Sequence, residues 1–587
     1  MTTAWQAFLN RSDLEQFGAN SLLLFALELR YNIDDIGTIA ATAITDGPRD
    51  RKCDLVYIDE DSRTAILAQG YVAQDHDRPA APANKATGLG VAASWVIGNE
   101  RPSDLEPSLA TAAEDLHQAI LENEIDAIEL WYSHNLPEST NVEAELERVA
   151  SSTSAIIKSR YPDKEIDVRA LEVGRTTLED WYLSTRSPIL VTETISVPAQ
   201  DWFEESGDGW RAICTSVPAA WLHGLYEKYG DRLFSANVRG YMPRRRTANN
   251  INYGIEQTAR NHPGRFWAFN NGVTALVHGI ADNVRGKSLK LSGIGVVNGA
   301  QTTGSLARVD VDSLGEARVL IRFVQASKPE LVTDIITYNN SQNQIKPSDF
   351  RSGDRVQERL RREFDKIPDV TYLGARRGGQ EDRARRPSNL LSSDTAAQAL
   401  ASFHQDPSVA YHELRSIWEK DSVYSRYFSE HTTAAHIVFC YSLWLSVANA
   451  KAELTAIPEE DRTSDDREAL EFLRRRGSLY LLVAAIGRAS EIYLGRAVVD
   501  TFSLSFGDAV SPWKAATIWA PLVDALLPFA PDQLGSVFDD GGLRRRELVE
   551  SALKSFRTSV NSTKRANSAL FGEFRSHVQI GENSQST

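Results

Sequence analysis

"DLVYIDEDSRTAILAQGY", residues 54–71, decides how the first third of the chain is read. Two apolar runs flank the turn Asp59-Glu60-Asp61-Ser62, which is the pattern of a β-hairpin. An acid, Asp54, opens the first strand, and the tripeptide Gln69-Gly70-Tyr71 closes the second. Upstream, residues 13–31 have helical periodicity, with Leu14, Phe17, Leu22, Phe25, Ala26 and Leu29 apolar. Downstream, a Pro/Ala loop at 78–83 leads to helical stretches near 84–97 and 107–123, a strand at 126–134, a helix at 142–159 and a strand at 165–171. Strands alternating with helices predict an α/β domain. "TTLE" at 176–179 has the spacing of a capping box opening the next helix.

A chain of 587 residues exceeds a single core, so several domains are expected. The boundaries read from the sequence are 1–180 (α/β), 190–350 (β-rich), 351–575 (helical) and 576–587 (a flexible tail). The β-rich part rests on "ILVTETISV", "FWAFNNGVTALVHGI", "LKLSGIGVV" and "ARVLIRFV", and an acidic loop at 458–467 interrupts the helical part. With 42% hydrophobic and 24% charged residues the composition is globular. A net charge of −15 argues against a uniformly basic nucleic-acid coat while leaving local basic patches open. Cys53, Cys214 and Cys440 lie far apart, which excludes CxxC zinc spacing and a disulfide framework. His431 and His436 miss the i,i+4 spacing of a helical metal pair, and the eleven histidines show no cluster. "AAHIVFCYSLWLSVANA" is too short to span a bilayer and reads as a buried helix, so no membrane partner and a cytoplasmic location are expected.

The order helix, hairpin, helices, strand resembles the restriction-endonuclease-like PD-(D/E)XK core. That resemblance implies a helix glutamate, a strand aspartate and a (D/E/Q)xK tripeptide converging on Mg²⁺, here Glu28, Asp54 and Gln69, with Asp54 and Gln69 as metal ligands. Hard oxygen ligands suit Mg²⁺, which polarises a phosphodiester and acidifies a bound water. Tyr71 departs from the pattern, because it stands where a lysine is required. Lys85, on the following helix, is the candidate replacement. Lys52 is the alternative, but it adjoins Asp54, and adjacent strand residues point to opposite faces. An active Mg²⁺ site, a degenerate fold kept for binding and an unrelated hairpin all fit these residues.

The middle of the chain is rich in amides: "NVRGYM" (237–242), "NNINYGIEQT" (249–258), "FWAFNNGVT" (266–274), "VVNGAQTTGSL" (296–306) and "ITYNNSQNQIKPSDF" (336–350). Any one "NG" is an ordinary turn. Five clusters in one domain suit a polar ligand with many acceptors, since an unpaired buried amide costs about 1–3 kcal/mol. "GIGVVNG" fails as a dinucleotide fingerprint, because Asn298 replaces the third glycine and no helix opening is evident after it. These motifs, with "VLIRFV", resemble the AIPR (abortive infection phage resistance) family over roughly residues 230–480. The resemblance implies a bacterial phage-defence protein with a restriction-like N-terminal region. It directs attention to Asn237, Arg239, Asn270, Asn271 and Gly272, to Asn298, Gly299, Gln301 and Arg322, and to Asn340, Gln342, Asn343 and Asp349.

Basic patches accompany the amides. Residues 237–265 hold six arginines against one glutamate, and the Gly/Arg loop 374–386 contains Arg376 and Arg377, which suits phosphate. "RVQERLRREFDK" alternates in sign and reads as a solvated helix face. The expected partner is nucleic acid, DNA or RNA, with a phage-derived trigger and a second copy of the chain as further candidates. Three functions follow: a Mg²⁺-dependent nuclease acting at the N-terminal site, an inactive nucleic-acid or nucleotide sensor, and an enzyme whose site lies in the Asn/Arg-rich middle.

Overall fold

The structure, a computed structural model, describes residues 3–31, 33, 35–45, 47, 50–60, 62–98, 106–185, 187–235, 251–283, 288–340, 351, 354–372, 389–539 and 542–581. The opening stretch is a hairpin: β1 (Leu55–Asp59) pairs antiparallel with β2 (Thr64–Tyr71), Leu55 opposite Ala68. β3 (Ala127–His134) and β4 (Asp167–Val173) continue the sheet in parallel, in the order β1-β2-β3-β4. Side chains alternate between two cores. Ala65 and Leu67 face the helices Ala83–Ile97, Pro107–Leu121 and Thr140–Arg160, while Ile66, Ala68 and Trp131 face the helix Ser21–Tyr31. Strands covered on both sides read as continuous apolar runs, and every residue of β3 is buried.

The Ser21–Tyr31 helix is apolar nearly all round, which fits a helix with a neighbour on each side. Its outer side faces the helix Ala434–Ala456 across a cavity of about 750 Å³ lined by Phe17, Glu28, Tyr441, Trp444 and Lys451. The "TTLE" capping box does not form. The helix starts earlier, at Arg175, and the Glu138 carboxylate takes the amides of Thr176 (3.1 Å) and Thr177 (2.8 Å). Burial works to raise the Glu138 carboxyl, but these hydrogen bonds hold it below its ordinary value.

A second sheet comprises β5 (Val191–Val197), β6 (Trp202–Gly207), β7 (Trp210–Pro218), β8 (Val273–Val277), β9 (Gly279–Asn283), β10 (Ser288–Asn298) and β11 (Arg318–Ala326). Its order is β5-β10-β8-β11-β7-β6, with β9 on β10, and β8 and β11 run parallel. Two expectations are corrected here. "FWAF" is a helical turn, Phe266–Phe269, rather than strand. "GIGVVNG" (293–299) is followed by a helix, Ala300–Leu306, entered through Gly299 at φ 95°. Gly293 and Gly295 lie inside β10, so the glycine run still forms no phosphate loop.

From Leu360 to Val578 the chain packs around one large apolar core. The Ala434–Ala456 helix runs through it, and among the described residues no helix is long and apolar enough to cross a membrane. The supposed acidic loop is helical from Ser464, opened by a capping box between Thr463 and Asp466. Packing continues past residue 575: a helix ends at His577 and Gln579–Ile580 pair with Leu504–Ser505. The Arg355–Phe364 helix carries the expected i,i+4 pairs, Arg359–Glu363 at 3.2 Å and Arg362–Glu358 at 3.9 Å.

The N-terminal module docks onto this helical region through polar contacts. Tyr411 donates to Asp115 (2.5 Å), and Arg474 pairs with Glu106 (2.7 Å), a carboxylate only 1% exposed. Removing one partner of such a pair leaves the other buried and uncompensated. Arg474→Ala is therefore expected to cost about 3–5 kcal/mol. The check is a lowered melting midpoint in thermal unfolding. Arg467→Ala, which loses only exposed Glu459, should change stability by no more than about 0.5 kcal/mol.

Candidate functional site

In-register pairing places polar residues in a row near the carboxyl ends of the parallel strands. Gln69 stands beside Tyr132, and Tyr132 beside Glu172; continuing the hairpin register one step sets Asp54 opposite Gln69. Open α/β sheets bind ligands outside this end. Gln69 is 5% exposed, yet its Oε1 has no hydrogen-bond partner among the described residues. That oxygen lies 3.0 Å from where a Cβ on Gly88 would project, so a side chain at that turn of the helix Ala83–Ile97 would press on the Gln69 amide and shift it. The Asp54 Oδ2 accepts the Gly70 amide at 2.7 Å. Burial, with Tyr71 and Glu172 nearby, pushes the Tyr132 phenol up. His134 Nε2 donates to Glu172 at 3.0 Å, and the same carboxylate accepts from the Ser139 amide.

Tyr71 is surrounded by cations. Lys85 Nζ sits 4.5 Å from its ring centroid, and Arg78 donates to its hydroxyl at 2.9 Å. The strand-alternation argument against Lys52 fails twice: Cys53 lies between Lys52 and Asp54, so alternation would put the two on one face, and Arg51 and Lys52 adopt φ 54° and 71° and leave extended backbone. The Lys52 stem packs at Gly88, on the same side as Gln69. Glu28 lies elsewhere. Arg11 holds it at 2.5 Å, and it lines the 750 Å³ cavity, which neither Asp54 nor Gln69 lines. Leu23, the residue of its helix near Gly70, is five positions earlier, about 7.5 Å along the axis.

In the second sheet the amide motifs meet. Asn298 on β10 pairs with Thr274 on β8, and Thr274 with Arg322 on β11. Arg322 donates to Thr274 Oγ1 (3.2 Å) and to Asn339 Oδ1 (3.0 Å), and Asn298 Nδ2 donates to the Asn339 carbonyl (3.2 Å). Asn270 bonds Thr302 (3.1 Å) and takes the Gly272 amide (2.9 Å). Gly272 at φ 82° and Gly299 at φ 95° let these turns approach: a Cβ on Gly272 would sit 2.5 Å from the Leu320 carbonyl. Exposed aromatics flank the sequence positions of this cluster, with Phe269 65% and Tyr338 71% exposed. Asn271 is exposed, Gln301 is half-buried, and Asn340 ends the helix Pro329–Asn340. Asn237, Arg239, Arg244–Arg246, Gln342, Asn343, Asp349, Arg376 and Arg377 lie outside the described residues.

Residues 234–454 match the family model described as AIPR protein. No curated protein and no solved structure matches the chain. The AIPR match starts after β7, so β5, β6 and β7, which complete the sheet, precede it; it ends within the Ala434–Ala456 helix.

The AIPR segment also holds a cluster that sequence reasoning missed. His404, His436 and Cys440 converge, with Nε2 of the two histidines 3.0 Å apart and Cys440 Sγ 3.3 Å from His436 Nε2. The readable signal was His436-x₃-Cys440, one helical turn apart; the pair His431/His436 was the wrong one to test. Burial keeps both imidazoles neutral, pushing His436 down to about 4 and His404 well below its ordinary value, and it raises the Cys440 thiol.

The left-handed turn yields a stability test. Gly272→Ala is expected to cost about 1–3 kcal/mol. Gly254→Ala, on the helix Ile251–Asn261 with open space around its Cβ position, should be neutral or stabilise by up to about 1 kcal/mol. Thermal unfolding of the two variants side by side checks both.

Proposed function

We propose that the chain is an AIPR-type abortive-infection protein that binds nucleic acid and cleaves its phosphodiesters at the carboxyl end of β2. The observation that carries this reading is the buried Gln69 Oε1, which has no hydrogen-bond partner among the described residues and stands in the strand register opposite Asp54. An orphan acceptor of this kind costs about 1–3 kcal/mol unless a ligand satisfies it. Asp54 and Gln69 offer hard oxygens suited to Mg²⁺, which when bound supplies a polarised phosphodiester and an acidified water.

The chain's own groups supply the rest. Lys85 and Arg78, gathered on the Tyr71 ring, bring positive charge to the position where the family tripeptide has lysine. They attract and orient the phosphate. Glu28, engaged by Arg11, is left out of the proposed site. Arg322 and the Asn270–Asn298–Asn339 cluster, with Phe269 and Tyr338 as stacking surfaces, suit an unpaired strand whose bases are exposed. A net charge of −15 confines such binding to local surfaces.

A second reading, a sensor without cleavage, is favoured by Tyr71 itself and by the Gly70 amide already bonded to Asp54. Phage DNA, single-stranded DNA and RNA incubated with Mg²⁺, Mn²⁺ or EDTA separate the two. The nuclease reading expects metal-dependent cutting that falls about a hundredfold or more in Asp54→Ala. Strand binding should survive that change and weaken in Arg322→Ala. Full phage protection by Asp54→Ala, with protection lost in Asn271→Ala, would sink it.

A further inference from the structure

We propose that His404, His436 and Cys440 form a Zn²⁺ site within the helical region. His404 caps the helix Ser393–Phe403, His436 and Cys440 share one face of the Ala434–Ala456 helix, and residues 500–504 close over them. The three donor atoms lie within 4.8 Å of one another. A tetrahedral zinc ion, with bonds of about 2.0 Å to nitrogen and about 2.3 Å to sulfur, sets its ligand atoms roughly 3.3–3.6 Å apart. The observed 3.0 Å (Nε2 to Nε2) and 3.3 Å (Sγ to Nε2) need only a small opening, and the third pair, His404 to Cys440, lies within 4.8 Å and is set by rotation of the two side chains about their own bonds.

The outer partners match what a metal-bound histidine requires. His436 Nδ1 donates to the Leu504 carbonyl at 2.9 Å, which leaves its Nε2 as a lone-pair donor facing the other two groups. His404 Nδ1 lies 3.1 Å from Thr501 Oγ1, an acceptor able to hold the tautomer that frees its Nε2. Phe502 stacks on the His404 ring at 3.9 Å between centroids, and Phe403 and Phe439 wall the remaining sides. Without metal the same atoms can share hydrogen bonds: with His436 Nδ1 donating to Leu504, its Nε2 is the common acceptor for a proton on His404 Nε2 and for the Cys440 thiol. Binding moves the His404 proton from Nε2 to Nδ1 and expels the thiol proton, so one proton leaves per ion. Three protein ligands leave one tetrahedral position for a water or a further ligand, and His404 is the one partly exposed member of the three.

The ion pins the end of one helix, the first turns of another and the 500–504 segment, and it acts independently of the proposed phosphodiester chemistry. Full-length, tag-free protein is analysed for metal after gel filtration, then stripped and titrated with Zn²⁺ and Co²⁺. One zinc per chain, a sulfur-to-cobalt charge-transfer band and a melting midpoint lowered by chelation are expected. Cys440→Ser should abolish the band. Thr501→Val, which leaves all three ligands intact, should weaken metal affinity about 10- to 100-fold. Wild-type protein that binds neither ion, or that binds zinc undiminished in Cys440→Ser and His404→Gln, overturns the proposal and leaves a hydrogen-bonded triad.

Discussion

β2 pairs with β3 in parallel and in register from Thr64–Ala127 to Tyr71–His134, and the N-terminal module depends on that pairing. A parallel pair cannot be closed by a tight turn, so the chain crosses over through residues 72–126. That crossover carries the Ala83–Ile97 helix, and with it Lys85 and Gly88. Both sheet faces are thereby covered, which forces apolar residues along the strands and confines most polar ones to their ends. A slip of one residue would turn Gln69 toward the Ser21–Tyr31 helix, away from Gly88 and Lys85. Register, rather than any single side chain, brings Asp54, Gln69, Tyr132 and Glu172 into one row.

The second sheet solves a similar problem with glycine. Its central strands, β8 and β11, are parallel neighbours, while β10 lies antiparallel on β8. The turn into β8 and the turn out of β10 therefore meet at the same edge. Only residues without a Cβ fit there: on Gly299 it would fall 2.8–2.9 Å from Val273 and the Gly272 carbonyl. The amides around these turns are largely satisfied by one another, which explains why they tolerate partial burial. What reaches solvent is Arg322 and, close by in sequence, aromatic rings on either side of the amide motifs.

Local pattern was legible, and convergence across distance was not. The hairpin and the 126–134 strand follow from short apolar runs bounded by polar turns, and the buried helix read at 434–450 from a longer unbroken one. β6 and β7 escaped notice because Trp202–Gly207 is mostly exposed and carries no apolar alternation. "FWAF" was misread since aromatic residues favour strands while a four-residue turn has no period to show. The 176–179 capping box failed because Glu138, a residue 38 positions earlier, supplied the cap from outside. His404 and Cys440 are 36 residues apart and meet only through helix packing, so no spacing rule in one sequence could pair them.

Arginine shows the same divide between composition and role. Many arginines that give the C-terminal half its basic runs are already committed to structure. Arg351 pairs with Asp421, Arg359 donates to the Ser429 and Thr432 carbonyls, and Arg474 holds buried Glu106. Each such bond takes a guanidinium away from phosphate recognition, since its planar donors are fixed by the first partner. Counting arginines therefore overstates the positive charge left free at the surface. Among the described residues, Arg322 on β11, and Lys85 and Arg78 around Tyr71, keep an exposed charge that no carboxylate pairs in the ion pairs seen, although Arg322 and Arg78 also bond neutral oxygens. Among the described residues, a chain of net charge −15 thus concentrates exposed positive charge at two strand ends, where the local potential departs most from the average set by its acidic surface.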